Sequence, residues 1–176
     1  MTIQQDAASL KYGKILEFVE LEIPGLIATG NENDPSEYFR VYNSYNTGDA
    51  DGQITFLGVT WDPLPFVSEG FEMNGEGGTP RPTLTLADFE GIFLAASLQY
   101  QDFIGCTATR YETTTANRAS GSFYGPEKWT VNCIVESDGM MIKLELASPT
   151  DVKSRKIPGV LMFRDRYPSL GRNRKG

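Results

Sequence analysis

One stretch of the sequence, residues 86–104, has the spacing of an α-helix. Its apolar side chains recur at intervals of three and four residues, which places them on one helical face. Thr85 is a candidate N-cap, with Asp88 three residues later, and Gly105 is a candidate C-terminal stop. We therefore predict a helix whose apolar face packs in the core. That face consists of Phe89, Ile92, Phe93, Ala96, Tyr100 and Phe103, with Glu90, Ser97 and Gln101 on the other side.

The rest of the sequence has the pattern of strands and turns. Its 18 glycines and 10 prolines among 176 residues are typical of a turn-rich β protein. The clearest strands flank Asp138-Gly139, a two-residue hairpin turn. Pairing outward from this turn sets Val135 opposite Ile142, Cys133 opposite Leu144 and Val131 opposite Leu146. The predicted fold is mainly β (α+β): a single β-barrel or curved sheet with one central helix packed on it.

Charge divides the sequence into an acidic body and a basic end. Residues 1–152 carry 8 basic and 22 acidic side chains, whereas residues 153–176 carry 8 basic side chains and one acidic side chain. An acidic body repels nucleic acid and anionic membranes, and a basic end either contacts an acidic neighbour or is solvated. We predict an extended N-terminal arm at residues 1–12, a β-rich domain at 13–163 with the helix near 86–104, and a basic tail at 164–176.

Several kinds of chemistry are excluded by residues that the sequence lacks. It has no histidine, so neither a Ser–His–Asp triad nor a histidine-ligated metal site is available. Cys106 and Cys133 are too few for a four-cysteine metal site and most simply are buried thiols. No apolar run approaches the length of a membrane span, and the start lacks the pattern of a secretory signal. We predict no catalytic residue, no metal and no cofactor.

A resemblance to a known family rests on one long motif and several shorter ones. The long motif runs Gly70-Phe71-Glu72-Met73-Asn74-Gly75, then Gly77, then Arg81-Pro82-Thr83-Leu84-Thr85. The shorter ones follow in the same order. They are Gly105, Arg110, Trp129, Cys133, Ser148-Pro149-Thr150, Pro158-Gly159 and Met162. Together they span most of the sequence, which resembles the phage minor tail protein L family of lambda-like tails.

The resemblance implies a structural protein of the virion rather than an enzyme. It implies a place in the tail tip, or baseplate hub, of a long non-contractile bacteriophage tail. There the chain would join the end of the tail tube to the central receptor-binding protein and be required for tail assembly. Its partners would be further copies in a ring, a homotrimer first and a hexamer second, with the distal tail protein above and the central tip protein below. DNA would meet it only in transit, and assembly would take place in the host cytoplasm.

The sequence departs from longer members of that family in one respect. Those members bind an iron–sulfur cluster in a cysteine-rich C-terminal extension. Here residues 163–176 contain no cysteine, and Cys106 and Cys133 alone cannot supply four thiolates. We therefore expect a short form of the family without the cluster.

A ring subunit needs segments that reach its neighbours, and two segments have suitable residues. Residues 74–82 form a glycine tip on a proline-stiffened stem, with Arg81 as a salt-bridge donor. The basic tail is the second segment. An ordinary hairpin loop and a solvated chain end are the alternatives. The predicted interface residues are Asn74, Gly75, Gly77, Gly78, Arg81 and Pro82, with Arg164, Arg166, Arg172, Arg174 and Lys175.

Two other functions remain open from the residues alone. A β-sandwich carbohydrate- or ligand-binding module would use an aromatic stacking platform. Its candidates are Tyr38, Phe39, Tyr42, Tyr45 and Trp61. A glycosidase-like enzyme would use a carboxylate pair such as Asp49 with Asp51 or Glu69 with Glu72, although neither pair lies in a recognisable catalytic context.

Overall fold

A computed structural model of the chain describes residues 15–44, 52–71 and 80–149. The predicted N-terminal arm, basic tail and glycine tip at residues 74–78 all lie outside these ranges. Among the described residues, no helix is long and apolar enough to cross a lipid bilayer.

Nine strands in the described part of the chain form one sheet, so the prediction of a mainly β protein is confirmed. The strands are β1 (Ile15–Ile23), β2 (Glu37–Asn43), β3 (Ile54–Phe56), β4 (Val59–Leu64), β5 (Phe66–Glu69), β6 (Thr83–Ala87), β7 (Thr107–Thr114), β8 (Tyr124–Ser137) and β9 (Met141–Ala147). Their order in the sheet is β3-β4-β2-β1-β7-β8-β9-β6-β5. Neighbouring strands are antiparallel except β2 and β4, which are parallel.

Strand β1 is buried on both faces and carries part of two hydrophobic clusters. Because side chains alternate along a strand, Leu16 and Phe18 point to one face while Val19, Leu21 and Ile23 point to the other. Leu16 and Phe18 belong to a small aromatic cluster with residues of β2, β3 and β4. In this cluster the Phe18 ring stacks on another aromatic ring, and the two ring centroids lie 4.3 Å apart. The other three belong to the main core. The sheet is therefore packed on both sides of β1.

A single residue joins the second strand of the sheet order to the last strand. β4 is second in the order and β5 is last, yet only Pro65 separates them along the chain. The Pro65 carbonyl accepts a hydrogen bond from the Ala87 amide at 3.0 Å, and the Phe66 carbonyl accepts one from Asn43 Nδ2 at 2.9 Å. Asn43 ends β2 and Ala87 ends β6. These contacts bring β2 and β6 to the same short segment, so the sheet is curved rather than flat.

The helix is shorter than the sequence predicts. Helix α2 spans Ile92–Gln99 and is followed by a 3₁₀ turn at Gln101–Phe103. The predicted start at Leu86 is wrong, because Leu86 and Thr85 lie in β6. A four-residue helix, α1, occupies Gly25–Ala28.

The 3₁₀ turn has an unusual backbone. Its three residues, none of them glycine, have φ between 52° and 57°. This left-handed conformation costs L residues roughly 1–2 kcal/mol each. Phe103 is fully buried in the main core, and the burial of its ring offsets part of that cost. Gly105, the predicted stop, lies just beyond this turn and also has a positive φ, of 87°.

Asp88 caps the N-terminus of helix α2, whereas the sequence predicts Thr85 as the N-cap. Its side chain is buried, with Oδ1 accepting the Phe93 amide at 2.9 Å and Oδ2 accepting the Leu94 amide at 2.8 Å. Its own amide donates to the Met140 carbonyl at 2.7 Å. Asp88 therefore caps the helix N-terminus and ties it to the β8–β9 hairpin.

The predicted hairpin exists, but its register is right at only one of the three apolar pairs. Val131 lies opposite Leu146 as predicted, whereas Leu144 faces Ile134 and Ile142 faces Ser137. The register shifts after Val131 and again after Ile134, and each shift adds one unpaired β8 residue. The connection is also longer than the predicted two-residue turn. It is stabilised by Asp138 Oδ1, which accepts two backbone amides at 2.9 Å.

Substitutions of Asp88 test whether its carboxylate stabilises the start of helix α2. We expect Asp88→Ala to lower the free energy of unfolding by about 2 kcal/mol, because two helix amides and their carboxylate acceptor are lost together. Asp88→Asn keeps one carbonyl oxygen and should lose about half as much. Glu90→Ala, at an exposed neighbour, is the control. Urea unfolding measures all three, and an Asp88→Ala protein as stable as Glu90→Ala would contradict the assignment.

Candidate interaction surfaces

Helix α2 exposes apolar side chains where a surface helix normally exposes polar ones. Leu98 is 80% exposed, and Ile92 and Leu94 are exposed as well. The helix sequence, Ile92–Gln99, contains no charged residue. Its single hydroxyl group belongs to Ser97, which is 2% exposed and donates to the Leu94 carbonyl at 2.8 Å. The last residue of the helix, a glutamine, is its one exposed polar side chain. A helix whose other exposed side chains are all apolar is typical of one that is buried in an assembly.

The opposite face of the same helix, together with the 3₁₀ turn that follows it, packs in the main core. Phe93 and Phe103 pack against Phe39 of β2, at ring-centroid distances of 5.4 Å and 6.4 Å. The Tyr100 hydroxyl donates to Glu37 Oε2 at 2.5 Å, which satisfies the polar end of that ring. These contacts fix the orientation of the helix. Its outer apolar face, defined by Ile92, Leu94 and Leu98, is therefore held toward the outside of the body.

Two shallow grooves continue the apolar surface beside the helix. They measure about 360 and 490 Å³ and share Pro65, Ala87 and Phe89 as lining residues. Phe89 is 71% exposed, although the sequence predicts it in the core. The prediction is wrong because Phe89 and Gly91 precede the helix, and Gly91 takes a left-handed conformation at its N-cap. Ile92, the first helical residue, is also exposed instead of buried.

A separate cluster of charged side chains lies across β1, β7 and β8. Arg110 is only 15% exposed and forms ion pairs with Glu17, Glu112 and Glu127, the last at 3.0 Å. Its guanidinium also lies over the Phe71 ring, 4.6 Å from the centroid. One cation therefore faces three carboxylates, and we name this group the Arg110 cluster.

The charge imbalance of the Arg110 cluster affects Glu112. Burial is the largest cause that raises the pKa of Glu112, and the attraction of Arg110 opposes it. The neighbouring carboxylates of Glu17 and Glu127 raise that pKa further. A single guanidinium shared among three acids does not compensate for the partial loss of water around them.

An open groove of about 650 Å³ borders the Arg110 cluster. Its aromatic walls are Phe71, Tyr124 and Trp129, and Lys128 lines it as well. The rings of Phe71 and Trp129 meet edge to face at 5.7 Å. Trp129 Nε1 is buried and is the one buried side-chain nitrogen or oxygen without a hydrogen-bond partner within residues 15–44, 52–71 and 80–149. We name this feature the Trp129 groove.

Only two of the residues that the sequence predicts for an interface are described. Arg81 is half exposed and lies 3.5 Å from Glu145 Oε1 of its own chain. Pro82 is buried, and its carbonyl accepts the Leu146 amide at 2.8 Å. The other predicted residues lie outside the described ranges. They are Asn74, Gly75, Gly77, Gly78, Arg164, Arg166, Arg172, Arg174 and Lys175.

Among the described residues, the aromatic platform predicted for a binding module does not form. Trp61 and Tyr42 are fully buried in the small aromatic cluster. Trp61 Nε1 donates to the Phe56 carbonyl at 3.0 Å, and the Tyr42 hydroxyl donates to the Gly52 carbonyl at 2.7 Å. Of the other candidates, Tyr38 is exposed and Tyr45 lies outside the described residues.

The thiols and acidic residues give no metal site in the part of the chain that the structure describes. Cys106 is buried and Cys133 is half-buried, and both are free thiols. Burial raises the pKa of Cys106 to about 12, with the charge of Glu22 as a smaller cause. Cys106 is therefore protonated and unreactive at neutral pH.

The raised pKa of Glu112 predicts a pH-dependent effect of one substitution. A carboxyl group with a higher pKa in the folded state binds its proton more tightly when folded, so its ionisation costs stability as the pH rises. The free energy of unfolding of Glu112→Gln, relative to the unmodified chain, should therefore increase between about pH 4 and pH 7. Urea unfolding of both proteins at several pH values measures this difference. A difference that falls with pH would contradict the burial argument.

Comparisons with known proteins agree with the resemblance seen in the sequence. The model of the family described as phage minor tail protein L matches residues 33–174. The tail tip protein L of Escherichia phage lambda is 28% identical over 121 residues, a match that covers 62% of this chain and 52% of that protein. The chain spans about half the length of this curated relative.

The family match covers well over half of the chain and includes β2 to β9. It also includes helix α2, the Trp129 groove and all but one residue of the Arg110 cluster. The surfaces described above thus lie almost entirely within the matched region. The chain belongs to the phage minor tail protein L family.

Proposed function

We propose that this protein is a structural component of the phage tail tip. In this proposal identical copies form a closed ring between the end of the tail tube and the central receptor-binding protein. A homotrimer is the simplest ring, and a hexamer is the alternative. The distal tail protein lies above the ring and the central tip protein lies below it. Assembly takes place in the host cytoplasm, and DNA meets the ring only in transit.

The outer apolar face of helix α2 is the observation that carries the proposal. Ile92, Leu94 and Leu98 are held outward by the packed inner face of the same helix. The burial of such side chains against a neighbour contributes roughly 25 cal/mol per Å² of apolar surface. The two grooves beside Phe89 extend the same surface. A ring contact or a contact with another tail protein would cover it.

The shape of the body suits a ring subunit. We propose that the curved sheet closes into a barrel through Pro65, with helix α2 packed over one side. The Asn43–Phe66 and Pro65–Ala87 hydrogen bonds support closure at this point. A closed barrel has few free strand edges, so side chains rather than strand pairing would make its contacts. The residues 74–82 loop remains a proposed contact with neighbours, whereas the basic tail has a more specific candidate site on its own chain.

The alternative of a carbohydrate- or ligand-binding module has less support. Its two most suitable stacking side chains, Trp61 and Tyr42, have no exposed ring face. The proposal also assigns no catalytic role to the chain.

The number of copies in a tail tests the ring directly. Quantitative mass spectrometry of purified tails should give three copies of this chain per tail, or six for the alternative ring. The absence of the chain from purified tails would contradict the proposal.

A charge on the outer face of helix α2 should block assembly but not folding. We expect Leu98→Lys to reduce tail yield by more than tenfold, because an unpaired charge would be buried in the contact. The variant should melt like the unmodified chain, since the side chain is 80% exposed. The measurement is complementation of a phage that lacks this gene, with tails counted by electron microscopy.

Leu57→Lys is the matched control for this test. Leu57 is also an exposed leucine, and it lies in the turn between β3 and β4. Tails should form normally with this variant. If Leu98→Lys supports tail formation at the normal yield, the outer face of helix α2 is not a contact.

A further inference from the structure

Among the described residues, the Trp129 groove and the Arg110 cluster together carry more negative than positive charge. The carboxylates are those of Glu17, Glu112 and Glu127, and the cations are Arg110 and Lys128. Glu17 is buried, whereas the side chains of Glu127 and Glu112 are 24% and 32% exposed. A partly buried acid without its own cation is costly. The site therefore favours one further positive group.

The groove also has the surfaces that a basic peptide segment needs. The exposed ring of Tyr124 and the adjoining ring of Trp129 offer aromatic faces to a guanidinium, as Phe71 does for Arg110. Within the described part of the chain, Trp129 Nε1 is a buried donor without an acceptor, and a backbone carbonyl is a suitable acceptor for its proton. The groove is thus suited to a chain segment with an arginine or lysine side chain.

The chain itself has such a segment close to the groove along the sequence. β9 ends at Ala147, which pairs with Thr130 of β8, the residue next to Trp129. The chain therefore leaves the sheet beside the wall of the groove. Residues 153–176 then carry eight basic side chains and one acidic side chain. From residue 149 onward, an extended chain of four residues spans roughly 13 Å, so the first basic residues are already within reach.

We propose that the basic segment at residues 153–176 docks in the Trp129 groove of its own chain. An arginine or lysine of the segment pairs with Glu112 and lies against the aromatic wall, and a segment carbonyl accepts the Trp129 Nε1 proton. The segment then has a binding site on its own chain, whether or not copies of the chain assemble into a ring. In this proposal the attraction between the acidic body and the basic end holds the segment in the groove.

A photo-crosslinker in the full chain tests where the segment lies. The photo-reactive amino acid p-benzoylphenylalanine replaces Tyr124, an exposed residue of the groove wall. After irradiation and digestion, we expect crosslinks from this position to residues 153–176. The same amino acid in place of Tyr38, an exposed residue of β2, should give none. Mixing isotopically light and heavy chains separates crosslinks within one chain from those between two.

Charge reversal provides the second part of the test. Glu112→Lys should reduce the Tyr124-position crosslinks roughly tenfold, the change expected when a charge-assisted pair is lost. Glu136→Lys makes the same change at an exposed glutamate of β8 and should leave them unchanged. Because Glu112→Lys also disturbs Arg110, the chain with Lys153→Glu and Arg155→Glu repeats the test from the start of the segment while the body stays intact.

Three results would overturn the proposal. The first is that no crosslink from position 124 reaches residues 153–176. The second is that such crosslinks join only light and heavy chains, in which case the segment binds a neighbour. The third is that both charge-reversal proteins keep their crosslinks while Glu112→Lys melts normally.

Discussion

The single residue between β4 and β5 constrains the rest of this structure. Because Pro65 connects the second strand of the sheet order to the last, the sheet has to curve until β2 and β6 meet the same segment. β6 then leads directly through Asp88 into helix α2, and the Asp88 carboxylate holds the first helical amides. The position of the helix, and of its exposed leucine, follows from where the sheet brings its ends together.

Two surfaces of different chemistry result, on different parts of the body. The outer face of helix α2 is apolar, and its removal from water would be favourable in any tight contact. The Trp129 groove instead combines aromatic walls with an excess of carboxylates, which suits a basic segment. For a family found in phage tails, we interpret the first as a surface for other subunits and the second as a site for the chain's own basic end.

The sequence predicts the class of fold and part of its register, but not the details that position these surfaces. Alternating apolar residues locate Val131 opposite Leu146, whereas the bulges at Asn132 and Val135 leave no trace in that alternation. Leu86 and Ala87 fit a strand and a helix equally well, so periodicity alone starts the helix too early. The absence of charged residues from Ile92–Gln99 does predict a largely apolar outer face. The Arg110 cluster brings together residues far apart in sequence, which no local pattern reveals.

We propose above all that the outer face of helix α2 is covered by another protein chain in the assembled tail. The most direct measurement is a cryo-electron microscopy map of intact tails at a resolution that shows side chains. We expect several copies of this chain around the tail axis at the tip, each with Leu98 in contact with a different chain. A map in which Leu98 faces solvent in every copy would contradict it.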